Sequence, residues 1–171
     1  MTVSLFRVLA VFLSFFSLLW PRVSSGQIFQ EDPPLLSAGV GYFDVVRQDD
    51  TATDFRLEYR HNKGLWIFRP WLGVEATTDG SLFGVVGFET DFHLGERIIF
   101  TPSFGAGAYH QGSGPDLGSV LEFRSQIEVA YRFDDASRIG VAFSHFSNAG
   151  IGSSNQGTEI ATIYYSVPID F

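Results

Sequence analysis

The feature that most constrains this chain is an alternation of period two that recurs from about residue 37 to the end. Residues 120–133 show it at greatest length: Leu121, Phe123, Ile127, Val129, Tyr131 and Phe133 share one face, and Glu122, Arg124, Gln126, Glu128 and Arg132 the other. Side chains alternate across a strand, whereas a helix repeats near 3.6, so the segment reads as β. In 54–60, Phe55, Leu57 and Tyr59 oppose Asp54, Arg56, Glu58 and Arg60. In 65–76, Trp66, Phe68, Pro70, Leu72 and Val74 oppose Arg69 and Glu75. In 81–92, Leu82, Val86, Phe88 and Phe92 oppose Glu89 and Asp91, and in 97–109 Ile98, Phe100, Phe104 and Ala106 oppose Thr101, Ser103 and Gly105. Segments 37–47, 138–147 and 158–171 complete the set.

This makes about eight strands of about ten residues, the length that crosses a bilayer when tilted. Connections alternate in length. HNKG at 61–64, HLGE at 93–96 and DDAS at 134–137 are short; HQGSGPDLGS at 110–119 and NAGIGSSNQG at 148–157 are long and rich in small residues. Short turns on one side and long loops on the other mark an outer-membrane barrel. The expected fold is all-β: an eight-stranded antiparallel transmembrane barrel over 37–171, ending in a last hairpin at 138–171.

A soluble ligand-binding barrel carries the same alternation with its apolar face inward. The 18 Phe of this 171-residue chain favour the membrane barrel and leave the soluble one as the alternative. The lumen of an eight-stranded barrel is only just wide enough for side chains, so a face this rich in bulky aromatics fits better against lipid. The N-terminus agrees. Arg7 precedes the apolar run Leu9–Trp20 and the patch VSSG, which reads as a secretory signal over 1–25, cleaved near Ser25 or Gly26. An uncleaved anchor is the alternative, but the run falls short of the ~20 residues of a spanning helix. Residues 26–36 then form a periplasmic segment. The chain has no Cys, which excludes thiolate metal sites and a Cys nucleophile, and its net charge of −8 argues against nucleic acid as partner.

Parity also places three polar residues. In 138–147 the apolar face runs Ile139, Val141, Phe143 and continues to His145 and Ser147; in 158–171, read backwards, it reaches Ala161 and then Glu159. All three fall on the lipid side at the loop end of the last hairpin. An even strand number puts both termini in the periplasm, so this end faces the outer leaflet. A carboxylate facing lipid costs up to a few kcal/mol at midplane and ~0–1 near the interface, so its placement asks for a reason. Residues i and i+2 of a strand lie ~6.5–7 Å apart on one face, so a histidine ring can lean towards the serine hydroxyl while the carboxylate holds its other nitrogen. That is the nucleophile, base and orienter of a serine hydrolase.

The segment His145-Phe146-Ser147-Asn148, with Glu159 twelve residues beyond the serine, resembles the active-site signature of the lipid A 3-O-deacylases, the PagL-type outer-membrane acyl hydrolases. The resemblance extends loosely over 27–171 and is motif-specific only in the last hairpin. It implies hydrolysis of the ester-linked 3-hydroxyacyl chain at position 3 of lipid A, with Ser147, His145 and Glu159 catalytic. It also implies Asn148 and the Gly150 amide as oxyanion donors, and neither metal nor cofactor. The implied partner is lipopolysaccharide in the outer leaflet of a Gram-negative outer membrane; a homodimer is left open.

Other polar groups take plainer readings. His61 and His93 fall in turns and His110 at a loop edge, without metal-ligand spacing. Asp49, Asp50 and Asp54 could bind a cation but read first as solvated acids. Arg56, Glu58, Arg69, Glu75, Glu89, Glu122, Arg124, Glu128 and Arg132 read as ion pairs filling the barrel. FGAGAY at 104–109 lies on a strand with no helix after it and is not a phosphate loop. A non-enzymatic structural or adhesion barrel remains the alternative function; it has no use for Glu159 on the lipid face.

Overall fold

The computed structural model describes residues 32–152 and 154–169. The signal segment expected at 1–25, most of the segment expected at 26–36, and Phe171 lie outside them. Among the described residues the strands are β1 Leu35–Phe43, β2 Ala52–Arg60, β3 Arg69–Thr77, β4 Leu82–Glu89, β5 Phe92–Leu94, β6 Ile98–His110, β7 Leu121–Arg132, β8 Arg138–Ser147 and β9 Thr158–Pro168. All pairings are antiparallel; β4 and β5 both pair with β6, and β1 closes on β9 from Leu35↔Pro168 to Phe43↔Ile160. β4 and β5 are halves of one stave interrupted at Thr90–Asp91, so the barrel has eight staves. Closure leaves no sheet edge, which a bilayer requires because it offers backbone groups no water.

Two boundaries differ most from expectation. β1 stops at Phe43, not 47, because Asp44 takes a left-handed conformation (φ 56°) and turns the chain. β3 starts at Arg69, not 65. Leu65 and Phe68 exchange backbone hydrogen bonds of 3.0 and 3.1 Å around Trp66 (φ 61°), which makes a tight turn of apolar residues. Gly64 is required there, since a Cβ would fall 1.9 Å from the Phe68 carbonyl oxygen. Trp66, 85% exposed at the periplasmic rim, suits the aromatic belt at a membrane interface.

The faces follow the alternation. Leu57, Leu72, Val74, Val86, Phe104, Ile127 and Val129 all point outward and are exposed. The soluble barrel is thereby corrected: the apolar band is outside, as in an outer-membrane barrel.

The lumen has two layers. In the middle and periplasmic parts buried charges pair: Arg124 with Glu58 (2.7 Å) and Glu75, Arg60 with Glu128 (2.7 Å) and Glu58 (3.0 Å), Arg138 with Asp91 (2.7 Å) and Asp32 (2.6 Å). Tyr164 donates to Glu58 at 2.8 Å, and the Arg124 guanidinium lies 4.1 Å over the Trp71 ring. Removing one partner of such a pair costs about 3–5 kcal/mol, because the other charge stays buried. Glu122 stands apart from this network. It is fully buried beside the Asn148 side chain.

Towards the extracellular end the lumen becomes more apolar. Phe43, Phe83, Tyr109, Leu117, Phe146 and Ile160 pack into a plug beneath the outer loops. These inward aromatics depart from the expectation that bulky rings all face lipid. The rings meet the charged layer directly: Glu75 is the ladder partner of Phe83, and the Arg56 guanidinium lies 5.9 Å from the centre of the Phe146 ring.

Candidate active site

The plug orients the last hairpin. Phe146 is 2% exposed and sets its ring edge-on to Phe83, with centroids 5.0 Å apart. Burying such a side chain stabilises by about 1.5–3 kcal/mol, which fixes the parity of β8 at its outer end. On β9, Thr158 and Ile160 are likewise buried. His145, Ser147 and Glu159 alternate with these anchors and therefore face outward.

His145 and Glu159 are direct cross-strand partners, and His145 Nδ1 lies 2.9 Å from Glu159 Oε1. The side chains are 48% and 23% exposed. The carboxylate only accepts, so it assigns the ring proton to Nδ1 and leaves Nε2 as the free base. The far edge of the ring lies against Gly157, whose added Cβ would fall 3.0 Å from Cε1 and 3.5 Å from Nε2. Gly157 directly precedes Thr158, the ladder partner of Phe146, so Nε2 is turned towards the level of Ser147. Ser147 faces outward and half-buried, paired with Phe123 on β7. No hydrogen bond between Ser147 and His145 is formed among the described residues.

Sequence reasoning passed over a second hydroxyl. Ser125 on β7 is exposed on the lipid side and stands directly opposite His145. Both ring contacts lie on the β9 side, so the ring leans away from Ser125.

The loop after β8 holds the two expected oxyanion donors differently from expectation. The Asn148 side chain is fully buried, and its amide donates to Leu117 O (2.8 Å) and Ser154 O (2.6 Å). Its oxygen accepts from Gly150 N–H at 2.9 Å. Gly150 itself is exposed, with φ 78°. In this conformation Asn148 ties the loop together and Gly150 spends its amide within it.

The loop between β1 and β2 backs the site. Val45 N–H donates to Glu159 O at 3.0 Å, and an Arg47 Nη2–H donates to Gly157 O. Asp44 organises the loop by accepting from the Asp49 and Asp50 amides at 2.8 and 3.1 Å. Burial pushes its carboxyl up, but these two amides, the Arg47 charge and the Thr158 hydroxyl together hold it below its ordinary value. The signal for Arg47 was readable: it is the single Lys or Arg in the four outer connections, 44–51, 78–81, 111–120 and 148–157. Placing it on a strand ending at 47 hid it.

The family model described as "Lipid A 3-O-deacylase (PagL)" matches residues 41–168. This chain belongs to that family. Curated relatives called lipid A deacylase PagL, from Bordetella bronchiseptica and Pseudomonas aeruginosa, are 35% identical over 74 residues and 37% identical over 54. The matches cover 42% and 32% of this chain, and only 42% and 31% of those relatives. The barrel is similar to a crystal structure of the outer membrane enzyme PagL, with TM-score 0.63 and 25% identity over 79% of this chain and 99% of that one. A designed transmembrane β-barrel matches at TM-score 0.55 and 11% identity, covering 82% of this chain and 99% of that one, and shows the fold alone. The PagL-family match and the barrel place the protein in the outer membrane of a Gram-negative bacterium.

Elsewhere in this PagL-family barrel, Asp32, Asp91 and His93 bring ligand atoms within 4.8 Å of one another. His93 was expected in a turn; it lies on β5 with its side chain buried. Asp32 already pairs with Arg132 (2.9 Å) and Arg138, and Asp91 with Arg138 and Arg69 (2.5 Å), so guanidiniums supply the positive charge a metal would bring. His61 Nδ1 is bonded to Tyr59 Oη at 2.8 Å. Asp54 is buried beside Arg56, away from the exposed Asp49 and Asp50, so these three acids form no common site.

Proposed function

We propose that this protein is an outer-membrane serine esterase that hydrolyses the 3-O-linked acyl chain of lipid A. The observation that carries the reading is the 2.9 Å contact of His145 Nδ1 with Glu159 on the lipid-facing surface, with Nε2 turned towards the level of Ser147. Family membership and the crystal structure of the enzyme PagL support it.

Ser147 Oγ attacks the ester carbonyl carbon while its proton passes to His145 Nε2, and Glu159 stabilises the imidazolium. Collapse of the tetrahedral adduct breaks the bond to the sugar oxygen, which takes the proton back from Nε2. Water, deprotonated by the same nitrogen, then releases the fatty acid from Ser147. The Asn148 amide and the Gly150 N–H serve the oxyanion after exchanging loop acceptors for it; exposed Gly150, with glycine's freedom, turns most readily. No metal enters this scheme.

The substrate arrives sideways in the outer leaflet. Below the three residues, Ala161 lies between Phe143 on β8 and Tyr42 on β1. Further down, a groove of about 530 Å³ is lined by Ala38, Val40, Phe55, Ile139, Ile163 and Tyr165. An acyl chain lying there leaves its ester at the headgroup level beside Ser147.

The test is a mass spectrum of lipid A from cells carrying the protein, the Ser147→Ala variant, or neither. Loss of one 3-hydroxyacyl chain only with the unsubstituted protein is expected. Unchanged lipid A from cells whose outer membrane holds the folded protein would refute the reading.

A further inference from the structure

Resting on that function, we propose that Arg47 binds a phosphate carried by the sugar whose ester is cleaved, and so sets which ester reaches Ser147. The guanidinium is tied to the site by a hydrogen bond to Gly157 O, and Gly157 packs on the His145 ring. It is only partly spent. Its Nε lies 3.6 Å from Asp44 Oδ1, beyond good hydrogen-bond length, and Asp44 already accepts from two backbone amides. The side chain is 40% exposed at the headgroup level, and a guanidinium offers five donors in a fork that matches phosphate.

The charge around it makes this seat selective. The outer connections hold five acids, Asp44, Asp49, Asp50, Asp79 and Asp116, against the single cation Arg47. A phosphate is repelled by these acids, three of which share the loop with Arg47, and its one cationic partner on the rim is the guanidinium beside the catalytic histidine. Repulsion elsewhere and attraction at one place is how a site selects orientation as well as ligand. Lipid A carries a phosphate at position 1 of the same glucosamine that bears the position-3 ester. One sugar ring therefore spans from the guanidinium to the serine, holding the ester in register for attack.

The experiment compares bisphosphoryl lipid A with monophosphoryl lipid A lacking the 1-phosphate, on protein reconstituted in nanodiscs. kcat/KM is measured for the unsubstituted protein, Arg47→Lys and Arg47→Gln. Affinity is measured on the Ser147→Ala protein with and without Arg47→Gln. The unsubstituted protein should prefer the bisphosphoryl substrate ~10–100-fold, the worth of a lost charge-assisted pair. Arg47→Gln should erase that preference: beyond whatever loss both substrates share from the missing contact to Gly157 O, activity on the bisphosphoryl substrate should fall a further ~10–100-fold, with Arg47→Lys between. Affinities should show the same difference, and millimolar inorganic phosphate should not remove it.

An equal loss on both substrates would reduce Arg47 to a prop for Gly157 and overturn the proposal, as would equal affinities. Suppression of the preference by inorganic phosphate would assign the seat to free anions and overturn it too. A preference in affinity without hydrolysis by any protein sustains the phosphate seat while refuting the esterase.

Discussion

His145 and Glu159 face each other directly across β8 and β9 on the lipid side of the barrel, joined at 2.9 Å. The ladder itself sets this pair, so Glu159→Ala should leave the barrel intact. It should lower deacylation ~10²–10⁴-fold and leave more activity than His145→Ala or Ser147→Ala, which should abolish it. Released fatty acid, measured on protein with unchanged heat-modifiable gel migration, checks this.

Gly157→Ala should reduce kcat ~10–100-fold through a displaced ring, while binding of lipid A changes little. The added Cβ would crowd Cε1 at 3.0 Å, and the backbone there has φ 42°, costly for any other residue. An unaffected kcat would mean that the ring does not need its position beside the loop.

The two hydroxyls near His145 are separable. Ser125→Ala should keep activity within a few-fold of the unsubstituted protein, because the ring leans towards β9. Covalent labelling by a lipophilic serine-directed inhibitor, located by peptide mass spectrometry, should find Ser147 alone.

Val141→Trp or Ala161→Trp should change which acyl chains are released, since both line the outer surface below the site. Ala142→Trp and Thr162→Trp point into a filled lumen, where overpacking costs about 1–3 kcal/mol or more. They should impair folding and leave chain preference unchanged in whatever protein folds. The opposite pattern in released-chain profiles would invert the assignment of faces.

Asp44 ties acidity to loop order. Its carboxyl is held below its ordinary value, so its contribution is fully present above the carboxylate range of about 4. That contribution is lost as pH falls through the lowered folded value. The Asp49 and Asp50 amides should be protected from hydrogen exchange at neutral pH relative to peptide rates and lose that protection in strong acid. Asp44→Asn should weaken protection at neutral pH, and the difference should vanish in acid.

Strand number, face parity and the outward placement of His145, Ser147 and Glu159 were all legible, because a period of two survives whatever the neighbours are. What stayed hidden depended on contacts distant in sequence. Parity already turns Phe83 and Phe146 inward, but that they meet Phe43 to seal the lumen depends on register between strands, which alternation along a single strand does not report. Asn148 is drawn into the loop by Leu117, far away in the chain. Arg47 was lost because a left-handed Asp44 ends β1 early, and a carboxylate that caps its own loop looks like any other acid beforehand.

Phe146 sits between His145 and Ser147 with its ring inside the barrel. The hairpin therefore obeys a reading frame of two. A single inserted residue on β8 between the plug and the periplasmic turn would send the histidine and serine into the sealed interior and push the phenylalanine into lipid. Length changes in descendants of this chain are thus confined to its loops or come in pairs along β8, and the chain's ancestry should be written in substitutions on β8 and β9.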